Sequence, residues 1–339
     1  MKEYSYIKKA LLREFSSDSS SSITELAHRI KCSRSTVMSN MEFLEREFGM
    51  RYTIEFNREV LGFVKNQIVL IKFGIMPEKE YVEEIFAGNR FLPFVAETSG
   101  DFDMLIGIVY NTTDEFLRWR SRTLHKLLRF RPSIRASYVT MINAGFLAIP
   151  NGVLEKLSLD LLGLDSLDTE IILQLNENAR LTNTKIAEKL KVDVETVRYR
   201  IRKILKTNLI VRFTIVLTKP PTQFNVAFAL DYSLGPNTTS AYYNSMSYYK
   251  SIDGNLPVVN AFPYLAAVSG RYYFFGIGCF YNEEEAVRDV VLKHRDIFKD
   301  DNLEMAYARI TNVISGYLPI RNMSQERGLT VLNMEDLIG

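Results

Sequence analysis

Two cysteines, three histidines and no long apolar run mark what this sequence of 339 residues does without. Cys32 and Cys279 stand far apart, in segments read below as different domains, so no disulfide framework is expected. His28, His125 and His294 have no metal-ligand spacing with either cysteine, which argues against a zinc site. No stretch approaches the roughly 18 apolar residues of a membrane span, and no leader-like segment is read at the start. The expectation is a cytoplasmic chain in a reducing setting, with no membrane partner, no metal and no cofactor. An excess of one charge is missing too. Against 42 basic residues stand 40 acidic ones, so any affinity for nucleic acid must come from local patches.

What the sequence does have is concentrated in residues 165–217. A first helix carries Ile171, Ile172, Leu173 and Leu175 and stops at the polar run Asn176 to Arg180. A second begins after Thr182 and buries Ile186, Ala187 and Leu190. Lys191 to Asp193 make a turn, and a third helix follows with Val197, Ile201, Ile204 and Leu205 at the spacing of a helix lying on a core. Its other side offers Tyr199, Arg202 and Lys206, flanked by Arg198 and Lys203. From Val194 to Lys206 there are five basic residues and one acid, Glu195. This is the charge pattern of a recognition helix in a winged helix-turn-helix.

The unit occurs twice. TELAHRIKCSRSTV (24–37) aligns without a gap on TKIAEKLKVDVETV (184–197), and ETSGDFDMLIGIVY (97–110) aligns on AVSGRYYFFGIGCF (267–280). Repeats this long imply a duplicated two-domain protein, not a solenoid. Each helix-turn-helix runs into an α+β segment whose strands and helices read βαββαβ, the ferredoxin-like plan. In the first copy the strands are Gln67–Phe73, Phe91–Thr98, Met104–Tyr110 and Ile134–Ile142. Helices fall near 77–87 and over Asp114–Leu128, with Leu117, Leu124 and Leu128 inward. The second copy reads Asn225–Tyr232, Thr238–Tyr249, Val258–Val268, Tyr272–Phe280, Glu283–Ile297 and Glu304–Val313. Strands apolar on both faces, such as Ile68 to Ile71, require the face without helices to be covered by a partner subunit or by the sister domain. The fold class is α+β: two winged helix-turn-helix domains (1–57 and 164–218) alternating with two ferredoxin-like effector domains (58–145 and 219–321). A helical connector (146–163), with Val153, Leu154, Leu157, Leu161 and Leu162 packed, joins the halves, and a tail (322–339) closes the chain. The serine run Ser16 to Ser22 reads as a loop between helices, with Ser22 and Glu25 at capping-box spacing. The cluster Tyr242, Tyr243, Tyr248 and Tyr249 is a candidate subunit contact.

A helix-turn-helix followed by a βαββαβ domain with a Ser99-Gly100-Asp101-Phe102-Asp103 turn resembles the leucine-responsive regulatory protein/AsnC family of transcription factors, in a tandem, archaeal form. The segment LDSLDTEIILQLNENARLTNTKIAEKL and Leu61-Gly62 before the first strand are also similar to that family. The resemblance implies double-stranded DNA as partner, contacted through the third helix of each head. It also implies self-association into a homodimer or higher oligomer through the effector-domain sheets, and an amino acid or similar effector near the hairpin glycine. The DNA-binding candidates are Arg34, Ser35, Thr36, Ser39, Asn40 and Arg46 in the first head. In the second they are Thr196, Arg198, Tyr199, Arg202, Lys203 and Lys206. The ligand candidates are Gly100, Asp101, Asp103, Gly270 and Arg271, where a ligand would shift the geometry of the heads.

Departures from the pattern set further expectations. The second hairpin lacks both acids, and Asn208 stands where a glycine is usual in the turn to the wing, a position that asparagine's tolerance of positive φ can fill. The first recognition helix buries Val37, Met41, Leu44 and Phe48. From Lys31 to Arg51 it sits among four basic and three acidic residues, so the second head should carry more of the phosphate affinity. The alternative is an enzyme similar to the siroheme decarboxylases, which share the tandem architecture. Decarboxylation needs a general acid at the pocket, whereas neither hairpin holds a histidine and the recognition helix is basic. The regulator, not an enzyme, is therefore the expected function.

Overall fold

The computed structural model describes residues 6–61, 65–86, 92–144, 148–157, 159–219, 224–232, 261–280, 282–298 and 303–317. The first head comprises α1 (Tyr6–Ser17), α2 (Ile23–Ile30), α3 (Arg34–Phe48) and β1 (Met50–Phe56). A short α4 (Arg58–Leu61) leads to β2 (Lys65–Phe73), α5 (Lys79–Phe86), β3 (Phe94–Gly100) and β4 (Met104–Tyr110). Next come α6 (Thr113–Trp119), a π turn (Arg120–Leu124), α7 (His125–Leu127) and β5 (Pro132–Ala144). After α8 (Asn151–Leu154), the second head repeats the first as α9 (Ser166–Glu177), α10 (Asn183–Leu190), α11 (Val194–Lys206) and β6 (Ile210–Leu217). Strands β7 (Phe224–Tyr232), β8 (Ala261–Gly270) and β9 (Phe274–Phe280) follow. A helical stretch with its own π turn (Val287–Leu292) then leads to β10 (Leu303–Gly316).

Local chemistry explains where the helices begin and turn. Ser22 and Glu25 form a capping box on α2, Thr112 and Glu115 one on α6, and Asp165 and Asp168 one on α9. In both heads the turn before the third helix rests on a lysine in the left-handed region, Lys31 (φ 58°) and Lys191 (φ 56°). Their N–H groups donate to Ala27 O and Ala187 O, so the aligned sequences 24–37 and 184–197 make the same turn. Asn208 takes φ 56°, the conformation expected of the residue that replaces glycine there.

The heads are interlocked. β1 and β6 pair antiparallel as a two-stranded ribbon centred on Thr53–Ile54 opposite Phe213–Thr214. The end of α1 joins the other head's strand, with Ser19 N–H donating to Phe213 O at 2.9 Å and Thr214 Oγ1 to Ser16 O at 3.0 Å. Reciprocally, Ala179 N–H donates to Tyr52 O at 3.1 Å and Thr53 Oγ1 to Asn176 O at 2.8 Å. The serine run is therefore packed structure, with Ser16 and Ser19 fully buried. Arg212 and Glu55 form a buried ion pair across the ribbon at 2.5 Å. Burial pulls the guanidinium's pKa down, against the opposing pull of Glu55.

The other eight strands close a barrel in the order β10-β3-β4-β2-β5-β8-β9-β7. Each half contributes its strands in the same order (second, third, first, fourth), and the seams are the antiparallel pairs β5–β8 and β10–β3. Of the two covers expected for the bare sheet faces, the structure uses the sister half. Ile68, Leu70, Phe94, Ala96 and Leu105 pack in one cluster with Ala227, Ala229, Phe275, Ile277 and Ala308. Val69, Ile71, Ile106 and Ile108 point the other way, onto the helical layer with Val82, Phe86, Phe116 and Trp119. Strands buried on both faces are why the sequence reads as unbroken apolar runs.

Several expected details change. In the α6 segment Phe116, Trp119, Leu124 and Leu127 are buried, while Leu117 and Leu128 are exposed (49% and 55%). Leu205, at the edge of the α11 stripe, is also exposed. Among its described residues the connector holds one helical turn, α8, and a 3-10 turn at Asp160–Leu162, so one helical spacing does not run through them, and Leu161 is 92% exposed. The stretch 238–249 with its tyrosines and the tail 322–339 lie outside the described residues.

Candidate nucleic-acid interface

The third helix of each head is set by an N-cap and a buried stripe, and in the second head by an anchoring ion-pair contact as well. Asp193 caps α11 by accepting Thr196 N–H at 2.7 Å and Thr196 Oγ1 at 2.5 Å. The Thr196 hydroxyl, then its backbone N–H, holds the Asp193 carboxyl below the ordinary aspartate range, so the cap stays charged at neutral pH. Val197 and Ile204 are fully buried beneath the helix. Between them Arg200 and Lys203 turn back to α9. Lys203 Nζ lies 2.6 Å from Asp168 Oδ2, and Arg200 Nη1 reaches Asp168 at 3.2 Å and Asp165 at 2.5 Å. Asp168 is fully buried, so these two cations neutralise it and fix the angle of α11 on its head. Lys203, expected on the outer surface, is thus placed behind the helix. Asp168 is a positioning residue that the sequence reading missed, and its only signal was an acid three residues after an N-cap.

The outer face of α11 carries Arg198, Tyr199, Arg202 and Lys206, all exposed, with Tyr199 at 67%. Arg198 pairs with Glu195 at 2.5 Å. Among the described residues, Arg202 and Lys206 have no ion-pair partner, which leaves two uncompensated cations roughly one turn apart on a rigid helix.

In the first head Ser33 caps α3 by accepting Thr36 N–H at 3.0 Å, and its hydroxyl also meets Ser35 and Thr36 Oγ1. Arg34, Ser35 and Ser39 are exposed, while Asn40 is half-buried and donates from Nδ2 to Thr36 O at 2.8 Å. Arg46 pairs with Glu47 at 3.0 Å, beside exposed Glu42 and Glu45. The two outer faces therefore differ in charge as well as in side-chain length.

The hairpin residues sit at the barrel seams. Gly100 (φ +144°) pairs with Ala308, and a Cβ there would lie 2.5 Å from Tyr307 O. Gly270 (φ +133°) pairs with Ser137 at the other seam, with a Cβ 2.9 Å from Ala136 O. The shared Ser-Gly of the two repeats is thus explained by close approach of the neighbouring strand. Asp101 accepts Tyr307 N–H at 2.8 Å, and its own N–H donates to Tyr307 O at 3.0 Å. Asp103 accepts Lys72 Nζ at 2.7 Å and Phe73 N–H at 2.8 Å. Arg271 pairs with Asp231 at 3.3 Å and with Glu304. Asp101 is thus engaged across the β3–β10 seam, whereas Asp103 and Arg271 are engaged within their own halves.

Comparison with known proteins gives results of three kinds. The AsnC-type helix-turn-helix domain matches residues 164–204. An uncharacterized HTH-type transcriptional regulator of Pyrococcus furiosus is 41% identical over 54 residues, 16% of this chain and 33% of the relative. One from Pyrococcus horikoshii is 40% identical over 57 residues, 17% of this chain and 35% of the relative. The match thus spans about a third of the length of these curated relatives. A crystal structure of the siroheme decarboxylase NirDL aligns with a TM-score of 0.53 at 12% identity, covering 91% of this chain and 92% of that one, a likeness of fold.

Proposed function

We propose that the chain is a member of the leucine-responsive regulatory protein/AsnC family, as the AsnC-type helix-turn-helix match over residues 164–204 supports, and that it is a sequence-specific DNA-binding transcriptional regulator with two clamped, unequal heads. The observation that carries this reading is the outer face of α11. Arg202 and Lys206 stand exposed and unpaired among the described residues, on a helix whose opposite side is anchored by Val197, Ile204 and the Asp168 ion pairs. Such a helix presents phosphate-binding cations and a tyrosine to a major groove at little entropic cost. The DNA contacts are assigned to Arg198, Tyr199, Arg202 and Lys206 in the second head and to Arg34, Ser35, Ser39 and Arg46 in the first.

We read the two halves of the barrel as two ferredoxin-like domains and the whole chain as a fused pair of head-plus-effector units. The β1–β6 ribbon holds the heads as a dimer would, so two half-sites are engaged from one polypeptide. Self-association with a second copy would have to use the outer surfaces, because the inner sheet faces are consumed within the chain. Footprinting on the protein's own promoter region, at two salt concentrations, tests the reading. Protection repeating at about one helical turn, weakened by salt, is expected. Absence of protection at low salt from folded protein would overturn it.

The second reading, a siroheme-decarboxylase-like enzyme, has in its favour the fold shared over nine tenths of the chain. Against it, neither hairpin holds a histidine, and His125 lies exposed on α7. Visible absorbance of a tetrapyrrole co-purifying with the protein would favour it.

A further inference from the structure

A cavity of about 430 Å³ opens on the helical side of the first barrel half, between β4 and the α6 segment, with Lys156 of the connector contributing to its lining. Three rings line it in series. Tyr110 stacks on Phe116 with centroids 5.2 Å apart and planes at 27°, and Phe116 stacks on Trp119 at 6.2 Å and 23°. Trp119 is 9% exposed, and its indole Nε1 is buried with no hydrogen-bond partner among the described residues. A buried donor without an acceptor among the described residues is unfavourable, so this N–H is available to an acceptor that a ligand brings. The π turn that begins directly after Trp119 widens the helix where Arg122 and Thr123 join the lining, and such turns recur at functional sites.

The charges of the lining are Arg118, Arg122 and Lys156 against Glu115. Glu115 is committed, accepting the N–H groups of Asn111 and Thr112 at 3.0 and 3.4 Å and pairing with Lys156 at 3.3 Å. Arg118 is held by Asp114. Arg122 has no ion pair among the described residues, and its planar fork suits a carboxylate. The volume lies in the range of small-molecule sites.

We propose that this cavity binds a small aromatic carboxylate. Its ring lies along the Phe116–Trp119 stack, its carboxylate meets Arg122, and an acceptor oxygen takes the Trp119 N–H. The site belongs to the first half only. At the positions equivalent by the 170-residue repeat offset, the second half has Phe280, Ala286 and Asp289, so two of the three rings are gone. Lys156 lies in the connector before α9, which ties the site physically to the second head. The binding claim does not depend on the DNA reading. Protein that takes the ligand but no DNA would sink the regulator and leave this site standing.

Trp119 is the sole tryptophan of the chain, so its emission reports on the cavity directly. The full-length protein would be titrated with 3-phenylpropionate, and with hexanoate as an anion lacking the ring. A saturable change with 3-phenylpropionate and a much weaker response to hexanoate are expected. Arg122→Ala, an exposed change that leaves thermal unfolding in place, should weaken binding roughly tenfold or more. Trp119→Phe, followed by calorimetry, keeps a ring, loses the donor and should bind more weakly than wild type. No saturable change in folded protein, or an Arg122→Ala protein that binds as wild type, overturns the proposal. An equal response to hexanoate overturns its aromatic part.

Discussion

Arg202 and Arg46 both project from the outer face of a third helix, but their electrostatic surroundings differ. Arg46 is paired with Glu47 in an acidic neighbourhood, whereas Arg202 has no such partner among the described residues. Arg202→Ala should therefore lower the slope of log affinity against log salt by about one, with a smaller change for Arg46→Ala. Equal changes in both slopes would remove the distinction between the heads. A second residue-scale test concerns Gly100, where a Cβ meets Tyr307 O at 2.5 Å in a left-handed backbone. Gly100→Ala should cost about 2–4 kcal/mol of stability. Gly163→Ala, with φ +69° and no atom near the new Cβ, should cost only about 1 kcal/mol. Thermal unfolding of the two variants separates steric contact from backbone preference. Across the ribbon, Arg212→Met strands Glu55 in a buried setting and should destabilise by about 3–5 kcal/mol. The double variant Arg212→Met with Glu55→Leu should recover most of that loss.

At the scale of elements, Asp165 opens α9 and ties it to α11. Arg200's side chain, then the Asp168 N–H, holds the Asp165 carboxyl below the usual aspartate range. A depressed folded pKa adds stability above the unfolded value, and that stability is lost as pH falls through the lowered one. Asp165→Asn keeps the cap but not the charge. It should unfold slightly earlier than wild type at neutral pH, by no more than about 1 kcal/mol for so exposed a pair. The two proteins should converge in acid, which a series of melting curves would reveal. The elements themselves were largely readable in advance. Met104–Tyr110 is apolar at nearly every position because both its faces are covered, and Ser22 with Glu25 announced a cap that forms. Periodicity failed where something else chose the buried face. In α6 the rings of Phe116 and Trp119 have more area to hide than Leu117, so the inward set starts one residue earlier. In the connector Leu161 sits on a 3-10 turn, to which a helical count does not apply. Of the candidate site, the basic outer face of α11 was legible. The inward turn of Lys203 was not, because Asp168 lies 35 residues away in sequence. The seam role of the hairpin glycines depends on strands of the other half, which no local pattern encodes.

For the whole molecule, barrel and ribbon place both halves in one folded unit with reciprocal contacts between the heads. Footprints should therefore show two half-sites of unequal sequence at a fixed separation, since each head can be altered without altering the other. Moving one half-site by half a helical turn should abolish joint occupancy, a result that band-shift titration would detect. The β1–β6 ribbon also bears on dilution. Heads that meet by association of separate chains part as their concentration falls, and paired occupancy then declines with the square of the protein present. Here the pairing is unimolecular, its effective concentration set by the ribbon and not by the cell. Occupancy by a single chain should follow the first power of protein concentration, so the response would persist at copy numbers where a dissociating dimer has already come apart.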